Sequence, residues 1–381
     1  MRFDTKAIHA AQPPDATTGA VNVPIYLSST FAQDAPGKDR GWVYGRSGNP
    51  TRAALEGLLA ELEGGKVGLA FSSGLGALTT LLEMLPGKAR IVAGDDLYGG
   101  TWRLFEHHRR QFGLDVEYVD LRDLALLEST LSSAPTTLVY AESPTNPLMK
   151  LADLAAVAQL AKERSALFVV DNTFATPALQ RPLELGADVV LHSTTKYLSG
   201  HSDVIGGALV ASSSAIGERL RWLQNAVGAV PSPFDCYLVL RGIRTLGVRM
   251  RAHGASAQAV AEVLSPHSKV RAVHYPGLTT HRQHELAKRQ MSGFGGMLST
   301  ELVGGLQAAR TFLRRLKIFT LAESLGGVES LAEHPALMTH ASVPKEEREA
   351  RGIGDGLVRL SCGIEDPADL ADDVRAALGR T

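Results

Sequence analysis

GADVVLHSTTKYLSGHSD, residues Gly186 to Asp203, decides the reading of this chain. An apolar, β-rich run, Val189-Val190-Leu191, leads through Ser193 and Thr195 to Lys196 and then into a Gly- and His-containing turn. A lysine just beyond a buried strand is costly if charged and unpaired, so burial lowers its pKa and frees its amine for chemistry. Such an amine forms Schiff bases with carbonyl groups. Upstream, Leu167-Phe168-Val169-Val170-Asp171 drives an acidic residue to the end of a second buried strand. A strand-end Asp, a strand-end Lys and hydroxyls beside the Lys together suit a pyridoxal phosphate site. The Asp holds a protonated pyridine nitrogen, the Lys the aldehyde, the hydroxyls the phosphate. Taken alone, each has a plainer reading: a strand-end Asp is often a cap or turn former. A Ser-x-x-Lys pattern also opens the acyl-transfer motif of serine β-lactamases, but no K-T-G or S-D-N partner occurs in this sequence.

The parts of such a site recur along the chain. Ser72-Ser73-Gly74-Leu75-Gly76 follows the apolar run Val67–Phe71 and leads into a helix, which makes an anion cradle of free backbone N–H groups. Gly74-x-Gly76 lacks the third glycine of a dinucleotide fingerprint. Tyr98 leaves the strand at Ile91–Gly94 and can lay its ring on a planar cofactor. Glu142-Ser-Pro-Thr-Asn146-Pro fixes a loop that aims Asn146 at the same crevice. Tyr44-Gly-Arg46-Ser-Gly-Asn-Pro-Thr51 offers a forked phosphate donor in Arg46 and a hydroxyl in Tyr44. Late in the chain, Glu323-Ser324-Leu-Gly-Gly and Arg359 stand out; Arg359 reads either as an outward polar position of an alternating strand or as a carboxylate clamp.

Length and texture suggest the organisation. The 381 residues suit two domains rather than one simple core. Residues 1–50, broken by Pro13-Pro14, Pro24, Pro36-Gly37 and the Gly-Asn-Pro turn, read as an arm without regular elements that packs on a neighbour. Residues 51–240 alternate strand and helix, the pattern of a mostly parallel sheet covered on both faces. From residue 241 a long helix through Leu264 opens a smaller α+β unit to residue 381, with strands at 269–274, 295–302 and 357–361. Ligands on such parallel sheets sit beyond the strands' carboxyl ends, where Asp171 and Ser193 to Lys196 fall.

Composition excludes several classes. With 39 basic and 40 acidic residues there is no excess to attract nucleic acid. No apolar stretch is long enough to span a bilayer, and Met1–Gln12 has no signal-peptide core. Two cysteines, Cys236 and Cys362, make no disulfide framework. The expectation is a soluble, cytoplasmic protein acting on a small molecule.

Assembled in this order, the motifs closely resemble the Cys/Met-metabolism family of pyridoxal-phosphate enzymes, from Tyr44-x-Arg46-Ser-Gly-Asn-Pro-Thr51 to Val358-Arg359-Leu360-Ser361. The resemblance implies the type I, aspartate-aminotransferase-like α/β fold and a homotetramer of dimers with active sites at subunit interfaces. It implies Lys196 as the Schiff-base lysine and catalytic base, with Tyr98 stacking on the ring and assisting. Asp171 would face the pyridine nitrogen, and Ser73, Gly74, Leu75, Ser193 and Thr195 would hold the phosphate. Tyr44 and Arg46 would reach that phosphate from the neighbouring subunit. Asn146, Glu323, Ser324 and Arg359 would bind substrate; no metal is implied.

Within the family, Glu323 is similar to the acidic residue of γ-lyases and γ-synthases, where β-lyases tend to carry an aromatic one. Gly100 stands where methionine γ-lyases typically have a cysteine. Val43 occupies a position where γ-lyases that prefer cystathionine often have an acidic residue. The favoured expectation is a cystathionine γ-lyase, with cystathionine γ-synthase next, then methionine γ-lyase or cystathionine β-lyase. A non-catalytic relative is disfavoured because Lys196, Asp171 and Arg359 are all present.

Overall fold

The computed structural model describes residues 1–341 and 343–379. Its larger sheet contains β1 (Val67–Phe71), β2 (Arg90–Gly94), β3 (Asp115–Val119), β4 (Leu138–Glu142), β5 (Leu167–Asp171), β6 (Val189–His192) and β7 (Gly207–Ala211). The spatial order is β1-β7-β6-β5-β4-β2-β3, with β2 to β6 mutually parallel and β7 antiparallel to both neighbours. The mostly parallel α/β architecture expected from the sequence is what the chain adopts.

Unbroken apolar strands follow from cover on both faces. In β5, Val169 packs with the side of the sheet that carries helices Gly74–Leu82 and Gly99–Phe112. Its neighbours Phe168 and Val170 pack with the opposite side, against helices Leu124–Ser133 and Leu154–Glu163. Both faces being dry, the first polar residues of β4, β5 and β6 come at or just past their ends: Glu142, Asp171 and the His192-Ser193 pair. Among the described residues, no helix is long and apolar enough to cross a membrane.

A second sheet contains β8 (Val270–His274), β9 (Met297–Leu302), β10 (Thr320–Leu321), β11 (Leu331–Glu333) and β12 (Leu357–Ser361), ordered β10-β11-β12-β9-β8 and antiparallel except between β10 and β11. The strands β10 and β11 were not foreseen, because two or three residues carry no readable period. The long helix expected from residue 241 in fact starts at Leu246; a separate helix, Pro233–Ile243, precedes it. The first fifty residues are not free of regular structure either. Phe3–His9 is a helix whose Ala7 enters the core beside Leu55 and Leu58.

The helix Pro233–Ile243 bears directly on the loop after β6. A Cβ on Gly242 would stand 2.1 Å from the Ser199 carbonyl oxygen, so only glycine lets helix and loop touch. Arg249, 3% exposed, donates to the Tyr197 carbonyl at 2.8 Å and to the Gly242 carbonyl at 2.7 Å, locking the same junction. Gly242→Ala should therefore shift the segment that carries Lys196, lowering the thermal midpoint and the activity together. Circular dichroism melts and turnover assays on the same preparation check this.

Candidate active site

The strand ends and the second sheet enclose a cavity of about 810 Å³. Twelve of the fourteen residues singled out in the sequence line it: Ser73, Gly74, Leu75, Tyr98, Asn146, Asp171, Ser193, Thr195, Lys196, Glu323, Ser324 and Arg359. Tyr44 and Arg46 do not. They lie exposed on the arm, where Arg46 stacks over the Tyr44 ring at 5.6 Å and donates to Asn225 Oδ1 at 3.0 Å.

At one end of the cavity, the helix Gly74–Leu82 points its N-terminus at the loop after β6. Ser73 caps it, its Oγ accepting from the Gly76 amide at 2.9 Å. A Cβ on Gly74 would come within 3.2 Å of Ser193 Cβ, so the glycine lets the helix amides and the Ser193 and Thr195 region converge. Thr195 Oγ1 accepts from the Gly206 amide at 3.0 Å, which fixes its side chain. Helix dipole, free amides and hydroxyls make this an anion site.

Asp171, at the end of β5, is 9% exposed and holds the Thr173 amide on its Oδ1 at 3.0 Å. The Tyr140 hydroxyl donates weakly to Oδ2 at 3.4 Å. Asp171 is buried and forms no ion pair among the described residues. Burial raises its pKa, and hydrogen bonds from Thr173 counter that only in part. Glu142 sits beside it in the sheet register, is raised well above the usual range by burial and by Asp171's charge, and holds the Tyr98 amide at 2.9 Å. A buried carboxylate facing a cavity in this way calls for a cation, which a protonated pyridine ring supplies.

Lys196 Nζ donates to Ser324 Oγ at 2.9 Å, joining the loop after β6 to the loop between β10 and β11. Burial, with Arg359's charge adding to it, pushes the amine down to about 8. Ser324 has φ 92°, a left-handed conformation that a side chain rarely adopts and that marks a constrained position.

Arg359 faces inward, not outward: it is 2% exposed, because the second sheet too is covered on both sides there. Its guanidinium donates to Asn146 Oδ1 at 2.9 Å and to the Ser324 carbonyl at 2.8 Å, and pairs with Glu333 at 3.0 Å. Glu333, 1% exposed and itself bonded by Thr339, was missed in the sequence. Three residues of strand between loops gave no pattern to raise it. Tyr98, 39% exposed, leans over residue 100: a Cβ on Gly100 would stand 2.3 Å from its ring.

These parts fit pyridoxal phosphate: an amine for the aldehyde, a buried carboxylate without an ion pair among the described residues for the ring nitrogen, and an anion cradle for the phosphate. The amine's state yields a prediction. In the cofactor-free protein, carbamylation of Lys196 by cyanate, followed by peptide mass spectrometry, should rise with pH to a midpoint near 8. The neutral amine is the reactive form and burial favours it, so a midpoint near an ordinary lysine's, about 10.4, would contradict the burial argument.

Comparison with known proteins agrees with the geometry. A family model described as Cys/Met metabolism PLP-dependent enzyme matches residues 4–379. A cystathionine beta-lyase of Coxiella burnetii is 52% identical over 378 residues, covering 99% of this chain and 97% of that protein. A cystathionine gamma-lyase of Dictyostelium discoideum is 50% identical over 380 residues, covering 100% and 98%. The crystal structure of cystathionine gamma synthase from Xanthomonas oryzae pv. oryzae, in complex with aminoacrylate and cysteine, superposes with a TM-score of 0.96 at 50% identity, covering 99% of this chain and 98% of that one. The relatives differ in reaction but share one cofactor-dependent framework, and on that ground the chain belongs to the Cys/Met-metabolism family of pyridoxal-phosphate-dependent enzymes.

Proposed function

We propose that the chain is a cystathionine γ-lyase, which cleaves L-cystathionine with water to cysteine, 2-oxobutyrate and ammonia. The observation that carries this reading is the Lys196 amine, held by Ser324 in one cavity that Arg359 and Glu323 also line. Pyridoxal phosphate, when bound, supplies the electron sink that makes a Cα–H bond acidic. Asp171 faces the ring nitrogen, and the Gly74 and Leu75 amides with Ser73, Ser193 and Thr195 hold the phosphate. Arg359, with Asn146 and the Ser324 region, grips the substrate carboxylate by bidentate hydrogen bonds, and so sets the Cα–H bond for removal. Lys196 takes that proton and, helped by Tyr98, moves one from Cβ so that the γ-sulfur leaves. An amine with its pKa near 8 suits both directions of transfer near neutral pH.

Glu323 supports γ-chemistry, since its carboxylate lines the cavity beside Ser324. Gly100 argues against methionine γ-lyase, because the side chain such enzymes carry there would strike the Tyr98 ring in its present position. Val43, exposed and apolar, favours a second reading: a cystathionine γ-synthase that joins an O-acylhomoserine to cysteine. We further propose a 1–50 arm, a 51–240 cofactor domain and a 241–381 small domain, assembled as a homotetramer of dimers. The exposed Val21, Leu27, Val43 and Tyr44 on the arm support a neighbour there, with Tyr44 and Arg46 reaching its phosphate site. Two buried, unpaired cysteines suit a reducing cytoplasm.

Products from L-cystathionine alone test the assignment. Cysteine with 2-oxobutyrate is expected; homocysteine with pyruvate would overturn it in favour of β-elimination. Absence of turnover together with activity on O-acylhomoserine plus cysteine would establish the synthase. Lys196→Ala should abolish turnover in either case, by the several orders of magnitude that follow loss of a catalytic base, roughly 10²–10⁴-fold or more.

A further inference from the structure

Asp171 and Leu191 line the cavity, so the residues that follow them, Asn172 and His192, turn to the other side of the strand ends. There both meet Glu63, the last residue of the helix Pro50–Glu63. Glu63 is 0% exposed, and its Oε1 accepts from Asn172 Nδ2 at 3.0 Å and meets His192 Nε2. Glu63 Oε2 and His192 Nδ1 find no hydrogen-bond partner among the described residues. A buried ionisable pair with two unmet polar atoms is an expensive way to join a helix to a sheet, and well-packed apolar side chains commonly do that better.

What the pair holds gives it a purpose. Asn172 follows Asp171 directly, and His192 directly precedes Ser193. On the cavity side a matching tie exists: Thr173 Oγ1 accepts from the Ser193 amide at 2.9 Å, while the Thr173 amide donates to Asp171. The ends of β5 and β6 are thus stapled from front and back. Gln180 extends the rear staple, its side chain donating to Asn172 Oδ1 at 3.0 Å and to the Ser143 carbonyl at 2.8 Å.

We propose that Glu63 is a positioning residue: by gripping Asn172 and His192 together it fixes the separation of Asp171 from Ser193, and thereby fits the site to both ends of one rigid ligand, a pyridine ring bearing a phosphate. This rests on the assignment above of Asp171 to the ring nitrogen and Ser193 to the phosphate. A loose staple lets each end of the ligand be met singly but not both at once. The cost therefore falls on cofactor affinity, and only while Asp171 makes its contact.

The test is equilibrium titration of the cofactor-free chain with pyridoxal 5′-phosphate, followed by absorbance. Glu63→Leu, which removes the acceptor both contacts share, should weaken binding roughly tenfold in the otherwise unchanged chain and less than about twofold in an Asp171→Asn background, a coupling of the size seen between interacting residues. A merely structural role would cost both backgrounds equally, and that result, or no loss in either, overturns the proposal. His192→Gln keeps a nitrogen donor within reach of Glu63 and should retain affinity, whereas His192→Leu should lose it. Equal behaviour of those two overturns the proposal as well. Should Glu63→Leu fail to fold, the two His192 variants in both Asp171 backgrounds make the same comparison. If Asp171→Asn alone leaves affinity unchanged, it is the ring-nitrogen assignment that falls, and the proposal with it.

Discussion

The constraint on which this molecule turns is that a parallel sheet sends all its carboxyl ends to one edge. Dry faces along β4, β5 and β6 leave no polar position until that edge, so charge is concentrated where the strands stop. Asp171 and Glu142 end up side by side and away from water, each harder to ionise than a surface carboxylate. Lys196, a few residues beyond its strand, is pushed the opposite way by the same desolvation. One physical cause thus sets two carboxylates and an amine of shifted pKa in a single cleft.

The second sheet completes the arrangement. Arg359 extends from β12 to Asn146, on the loop after β4, and at the same time holds the Ser324 carbonyl and Glu333. Its donors are fully engaged on one side, yet its Nε has no partner among the described residues. Glu333 pairs with the guanidinium, which keeps a buried cation tolerable.

Much of this was legible in the sequence because it rests on local rules. Strand-length apolar runs ending in Asp171 or in Ser193 to Lys196 reveal both the sheet and its functional edge. The Ser73-Gly74 turn announces its helix by capping chemistry. What escaped depends on contacts distant in sequence. Glu333 acquires meaning only beside Arg359, and Glu63 only beside Asn172 and His192, over a hundred residues away. The outward reading of Arg359 failed because alternation tells the two faces of a strand apart but not whether both are covered. The helix start at Leu246 was missed because the break at residues 244–245 contains neither Gly nor Pro.

The hydrogen bond from Lys196, beyond β6, to Ser324, between β10 and β11, ties the two halves of the chain together, as does that from Arg359 to Asn146. An amino acid gripped by Arg359 on one side and by cofactor and Lys196 on the other would act as a rivet between the two halves of the chain. Ligand that binds only the folded form adds stability in step with the logarithm of its concentration. Resistance of the protein to unfolding and proteolysis would then rise and fall with its metabolite pool, making turnover of the polypeptide itself responsive to supply.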